Sequence, residues 1–136
     1  MALSPQRISN AGDNRAMEGL VLFAHGARDP RWREPFERLE RKVRASRPHL
    51  AVSLAFLEVM RPDLDQAVDL LVANGCTAIR VVPVFLGQGG HVREDLPAAV
   101  ERAQGRHTGV SLTLRRAVGE DDAVLDQIVA VALEGL

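Results

Sequence analysis

The sequence predicts an α/β domain with a four-stranded parallel β-sheet flanked by helices. Three observations lead there. The runs LVLFA at 20–24 and AIRVVPVF at 78–85 are close to continuously apolar, as strands buried on both faces are. Such runs alternate with segments of helical periodicity, the mark of successive βα units. A length of 136 residues suits one compact domain and is short for two.

The elements follow in order. Residues 1–18 are polar and aperiodic and are expected to form a flexible leader, with the domain spanning 19–136. A first strand is expected over 20–24. Pro35 suits the first turn of the next helix, in which Phe36, Leu39 and Val43 recur at spacings of three and four. A second strand covers 52–57, and Pro62 is expected to open a helix that buries Leu64, Ala67, Val68 and Leu71. Asn74-Gly75 ends it as a left-handed cap. The third strand spans 78–85, with an irregularity expected at Pro83. The loop LGQGGH at 86–91 leads to a helix ending near residue 103, followed by a strand over 110–114. A last helix over 122–133 is expected to turn Val124, Leu125, Ile128 and Ala132 inward.

Composition narrows the function classes. Seventeen basic against 18 acidic residues give no overall attraction for nucleic acid or anionic membrane. The single cysteine, Cys76, excludes an internal disulfide framework and a cysteine-rich zinc site. No run approaches the roughly 18 apolar residues of a membrane span, and the N-terminus lacks the apolar core of a signal peptide. A cytoplasmic location is the expectation.

Three side chains fall just past three successive strands: His25, Glu58 and His91. Parallel strands joined by right-handed crossovers share one carboxyl edge, so these residues are candidates for a common site. Two imidazoles and a carboxylate suit a divalent first-row metal such as cobalt, nickel, iron or zinc and leave coordination positions open. Against this stands the plain reading of each histidine as a capping or packing residue. Gly26, Gly87, Gly89 and Gly90 permit close approach of a flat ligand, or simply make turns. The loop of Leu86, Gly87, Gln88, Gly89, Gly90 and His91 lacks the Lys-Ser/Thr pair of a P-loop and the spacing of a dinucleotide fingerprint. There is no Gly-x-Ser-x-Gly elbow for nucleophilic hydrolysis. Arg28, Arg31, Arg33, Arg61 and Arg93 fall in rim loops where guanidinium forks would hold carboxylates, Arg61 foremost because it lies three residues beyond Glu58. Asp95 would orient the His91 ring, or serve the helix dipole. His49 and His107 fall in polar turns and are expected in solvent.

The segments FAHGARDP at 23–30, AFLEVMRP at 55–62 and VPVFLGQGGHV at 82–92, with Asp95, resemble the small CbiX-type sirohydrochlorin chelatases, a branch of the type II tetrapyrrole chelatases. The resemblance runs from Gly19 to the C-terminus. It implies a three-layer, chelatase-like (flavodoxin-like) domain that inserts divalent cobalt, iron or nickel into sirohydrochlorin without ATP or an organic cofactor. It further implies that His25 and His91 bind metal and accept protons, that Glu58 assists, and that Arg61 and residues 86–91 contact the tetrapyrrole. A homodimer with a shared cavity is implied as well. Ala27 stands where many relatives carry Ser. Two other readings use the same residues: a non-catalytic tetrapyrrole or metal carrier, and a flavodoxin-like anion-binding or signalling domain built on the glycine-rich loop.

Overall fold

The computed structural model describes residues 17–136, so the expected leader lies outside the described residues apart from Met17 and Glu18. These two belong to the domain. Glu18 opens β1 (Glu18–Ala24), and the Met17 carbonyl accepts hydrogen bonds from the N–H groups of Thr77 and Ala78 at 2.9 and 3.2 Å. With β2 (Ala51–Phe56), β3 (Ala78–Pro83) and β4 (Ser111–Leu114), β1 forms a four-stranded sheet in the order β2-β1-β3-β4, every pair parallel.

Four helices connect or follow the strands: α1 (Glu34–Ser46), α2 (Leu64–Ala73), α3 (Gly90–Arg106) and α4 (Asp122–Leu133). Because crossovers are right-handed, stepping from β1 to β2 in one direction and from β2 to β3 in the other places α1 and α2 on opposite faces. The core divides accordingly. Leu22, Ala24, Val52, Leu54 and Phe56 meet Phe36, Leu39 and Val43 of α1 on one face. On the other, Val21, Phe23, Ala55, Ile79 and Val81 meet Leu64, Val68 and Leu71 of α2 and Leu96, Val100 and Ala103 of α3.

Several boundaries differ from the sequence expectation. Pro62 does not open α2. Asp63 does, its carboxylate accepting from the Gln66 N–H at 2.8 Å while the Gln66 side chain accepts from the Asp63 N–H at 2.9 Å, a reciprocal capping box. β3 stops at Pro83, which lacks a ladder donor, although the next N–H, of Val84, still donates to the Phe23 carbonyl at 2.7 Å. α3 continues to Arg106 through Pro97, because Leu96, Val100 and Ala103 keep one side buried while the proline faces solvent.

The largest difference concerns α4. None of its residues is buried: Leu125 and Ile128 are 41% and 43% exposed, and Val131 is 63% exposed. The helix packs against the 3-10 turn Val118–Glu120 that precedes it, and not against the sheet as helical periodicity implied. Periodicity identifies an apolar stripe. It does not say which surface covers it.

Substitution in the packed layer should cost far more than loss of a cap. Leu71→Ala, at a side chain 2% exposed, is expected to lower unfolding free energy by about 2–5 kcal/mol, and Asp63→Ala by about 1 kcal/mol. Urea denaturation of the two variants checks the order, and a larger loss for Asp63→Ala would contradict this account of the core.

Candidate functional site

The strand order reverses at β1, whose neighbours β2 and β3 leave in opposite directions along the sheet. In open parallel sheets such a switch point opens a crevice beyond the carboxyl ends of the strands. His25, the first residue after β1, stands at that crevice. Its backbone is joined to the loop after β2: the Ala24 carbonyl accepts from the Leu57 N–H at 2.8 Å, and the His25 carbonyl from the Glu58 N–H at 3.1 Å. Gly26 has φ of +94°, and a Cβ there would overlap the Glu58 carbonyl oxygen, so only glycine permits this approach. The exposed His25 ring stacks on buried Phe85, with centroids 4.2 Å apart and planes at 29°. Phe23 supports Phe85 edge-on at 5.9 Å. The imidazole therefore has an apolar shelf beneath it and solvent beside it.

The loop carrying Glu58 and Arg61 is held tightly. Val59 adopts φ of +68°, a region that β-branched residues rarely enter, at the centre of a turn closed by a 2.7 Å bond from the Met60 N–H to the Glu58 carbonyl. The Phe56 N–H donates to the Pro62 carbonyl at 2.9 Å, closing the loop at its base. Arg33 fastens it from outside. Its guanidinium donates to the Arg61 carbonyl at 2.6 Å, lies 5.0 Å from the Phe56 ring centroid, and reaches Glu37 at 3.3 Å. Of the five rim arginines, Arg33 is thus a brace, and Arg31 pairs with Asp29 at 2.7 Å. Arg28, Arg61 and Arg93 are exposed and enter no side-chain hydrogen bond or ion pair among the described residues.

The third loop, residues 86–91, is fixed from the far side. The Gly119 N–H donates to the Phe85 carbonyl at 2.9 Å, and a Cβ on Gly119 would overlap the Leu86 carbonyl oxygen. Gly87, Gly89 and Gly90 behave differently: a Cβ at any of them would meet nothing within 4 Å among the described residues. They face open space. His91 lies exposed in the first turn of α3. Asp95 makes no hydrogen bond to His91 among the described residues; it lines a cavity of about 240 Å³ with Phe23, Phe56, Leu57 and Arg102. His49 is exposed as expected. His107, expected in solvent, is half-buried, with Nε2 2.8 Å from Asp69 Oδ1 beside an Arg106–Asp69 pair.

His25 and Glu58 thus occupy the loops after β1 and β2, and His91 the first turn of the helix after β3. They do not enclose an ion: among the described residues no group of three or more His, Cys, Asp or Glu side chains is placed to hold a metal. Sequence pattern does not mark three residues that matter to the geometry. Phe85 reads as a strand residue, and Gly119 as an ordinary turn glycine. Arg33 reads as a candidate anion ligand, and its partners are backbone and ring atoms that no motif encodes.

A sequence model of one family, described as CbiX, matches residues 19–134. The chain belongs to the CbiX family. Among relatives of this CbiX protein, a sirohydrochlorin cobaltochelatase of Priestia megaterium is 30% identical over 112 residues, covering 81% of this chain and 36% of the relative. One of Methanocaldococcus jannaschii is 28% identical over 137 residues, covering 83% of this chain and 96% of the relative. The chain therefore spans about a third of the longer relative and almost all of the shorter. Among solved structures, a cobalamin biosynthesis CbiX protein of Marinobacter aquaeolei VT8, itself described as putative, superposes with a TM-score of 0.75 at 35% identity, covering 86% of this chain and 95% of that one.

The two classes of glycine should separate on substitution. Gly26→Ala is expected to cost about 1–3 kcal/mol, since it combines a strained φ with a backbone clash, whereas Gly89→Ala should stay within about 0.5 kcal/mol. Thermal or denaturant unfolding of both proteins measures the difference, and equal losses would remove the argument for a backbone clamp at Gly26.

Proposed function

We propose that this CbiX protein is a sirohydrochlorin metallochelatase that inserts a divalent metal, cobalt foremost with iron or nickel as alternatives, in tetrapyrrole biosynthesis of the cobalamin or sirohaem type. The observation that carries the reading is the carboxyl edge at the strand-order switch. An imidazole on an aromatic shelf stands beside a loop whose glycines leave open space, and exposed arginines, Arg28, Arg61 and Arg93, lie in the surrounding segments. The names of the relatives supply the substrate. A flat ring rimmed with carboxylates matches glycine walls and guanidinium forks.

The chemistry follows from balance. Insertion exchanges two pyrrole N–H protons for one M²⁺, so the site must deliver a metal and accept two protons. An imidazole nitrogen can ligate a first-row ion or accept a proton, so His25 and His91 serve both tasks in turn. Glu58 assists with charge. Arg61 and residues 86–91 hold the macrocycle, and Asp95 takes a supporting role at the start of α3. A ligand set that is not closed among the described residues suits a metal that is substrate, because the ion has to leave. No ATP or organic cofactor enters this balance. The active form in this reading is a homodimer whose second copy walls the cavity, acting in the cytoplasm, where a free Cys76 is ordinary.

The test is anaerobic insertion of cobalt(II), iron(II) and nickel(II) into excess sirohydrochlorin, followed by the tetrapyrrole absorption spectrum. The wild-type protein should exceed the metal-only rate over many turnovers, and His25→Ala with His91→Ala should remove at least about 100-fold of the acceleration, the lower range for acid–base groups. An unaffected double variant would sink the assignment. Stoichiometric binding without turnover would establish a carrier, the second reading, which the open, exchangeable geometry also favours.

A further inference from the structure

The loop after β2 carries two functional candidates that are fixed by different means. Glu58 is held by the sheet: its N–H donates to the His25 carbonyl at 3.1 Å, and its own carbonyl accepts from the Met60 N–H at 2.7 Å. Arg61 has no such anchor. Among the described residues no backbone N–H donates to the Arg61 carbonyl, and the Arg61 N–H donates to no backbone carbonyl. The bond that this residue does receive comes from a side chain 28 positions earlier, the Arg33 guanidinium, which donates to the Arg61 carbonyl at 2.6 Å.

Arg33 is a firm support for that bond. It closes the 3-10 turn Pro30–Arg33 and stands directly before α1, so its backbone is fixed from both sides. The turn is itself capped: the Asp29 carboxylate accepts from the Arg31 N–H at 2.9 Å, and the Asp29 carbonyl from the Trp32 N–H at 3.0 Å. The guanidinium lies 5.0 Å from the Phe56 ring centroid, a cation–π arrangement, while Glu37, one helical turn on, meets Nε at 3.3 Å. Phe56 is held edge-on by Phe36 at 6.3 Å, and Phe36 carries Trp32 at 5.7 Å, so a row of aromatic contacts backs the charge. Nε and Nη1 of Arg33 are therefore committed within the protein. The Arg61 guanidinium, by contrast, is exposed and enters no side-chain hydrogen bond or ion pair among the described residues.

We infer that Arg33 is a positioning residue that sets the affinity for a carboxylate of the tetrapyrrole by fixing Arg61. This rests on the metallochelatase reading above and specifies how one of its binding residues is presented. An exposed arginine loses side-chain freedom when it grips a ligand, and that cost is easier to meet when its backbone is already in place. Arg33 supplies the placement through a planar, charged donor with one nitrogen left for Glu37 and a flat face left for Phe56. Lysine can reach a carbonyl, but it has neither the second nitrogen in a fixed plane nor the flat face. His25 and Glu58 hold each other through the ladder and not through Arg33. The effect of Arg33 therefore falls on substrate binding and leaves the insertion step intact.

The test measures KM for sirohydrochlorin and kcat for cobalt(II) insertion in the wild type, Arg33→Gln, Arg33→Lys and Arg61→Gln, and in each Arg33 variant combined with Arg61→Gln. Arg33→Gln is expected to raise KM about tenfold and Arg33→Lys about threefold, both with kcat within about twofold of the wild type. In the Arg61→Gln background the same changes should move KM by less than about twofold, since the group being positioned is gone. An unchanged KM in Arg33→Gln, or a fall in kcat without a rise in KM, overturns the inference. So does a KM effect of full size in the Arg61→Gln background, which would show Arg33 meeting the substrate itself. Should Arg33→Gln fail to fold, the two Arg33→Lys proteins decide by the same criteria. Titration of each protein with metal-free sirohydrochlorin, read by the tetrapyrrole absorption, gives the corresponding ratios as Kd. A wild type that binds without turnover overturns the chelatase reading and leaves those Kd ratios to decide the role of Arg33, and a wild type that does neither overturns both.

Discussion

The site depends on the backbone pairing of β1, bonded to β2 on one side and β3 on the other. Because this strand is shared, one register fixes three loops at once. The hydrogen bonds of Leu57 and Glu58 to the carbonyls of Ala24 and His25, and of Val84 to Phe23, extend the ladders past the ends of the strands and into the loops. Loops placed by ladder bonds inherit the rigidity of the sheet, which a preorganised binding edge requires.

That rigidity is reinforced where the backbone has least room. Gly26 lets the loop after β1 press on Glu58, and Gly119 lets the turn before α4 press on Leu86. The glycines of residues 86–91 have no such contact: a Cβ at Gly87, Gly89 or Gly90 would meet no other described residue within 4 Å. Glycine therefore stands in two settings: at Gly26 and Gly119 it allows the protein to approach itself, and at Gly87, Gly89 and Gly90 it leaves the space beside the backbone open. The His25–Phe85 stack joins the two systems, since Phe85 also supplies the carbonyl that receives the Gly119 N–H. The turn that launches α4 is thereby connected to the histidine.

The strands, the helices and the residues at the carboxyl edge are legible in the amino-acid order alone, because each depends on local signals: apolar runs, helical spacing and the residue that follows a strand. His25, Glu58, Arg61 and His91 stand out for that reason, as do the α2 contacts of Leu64, Ala67, Val68 and Leu71. The order β2-β1-β3-β4, the Phe85 shelf, the role of Arg33 as a brace and the exposure of α4 emerge only in the folded chain. These depend on atoms far apart in sequence. Helical spacing marks Val124, Leu125, Ile128 and Ala132 as one face, but an apolar stripe has a direction only relative to its own helix axis, and what lies opposite is set by how the turn at Gly119 aims the helix.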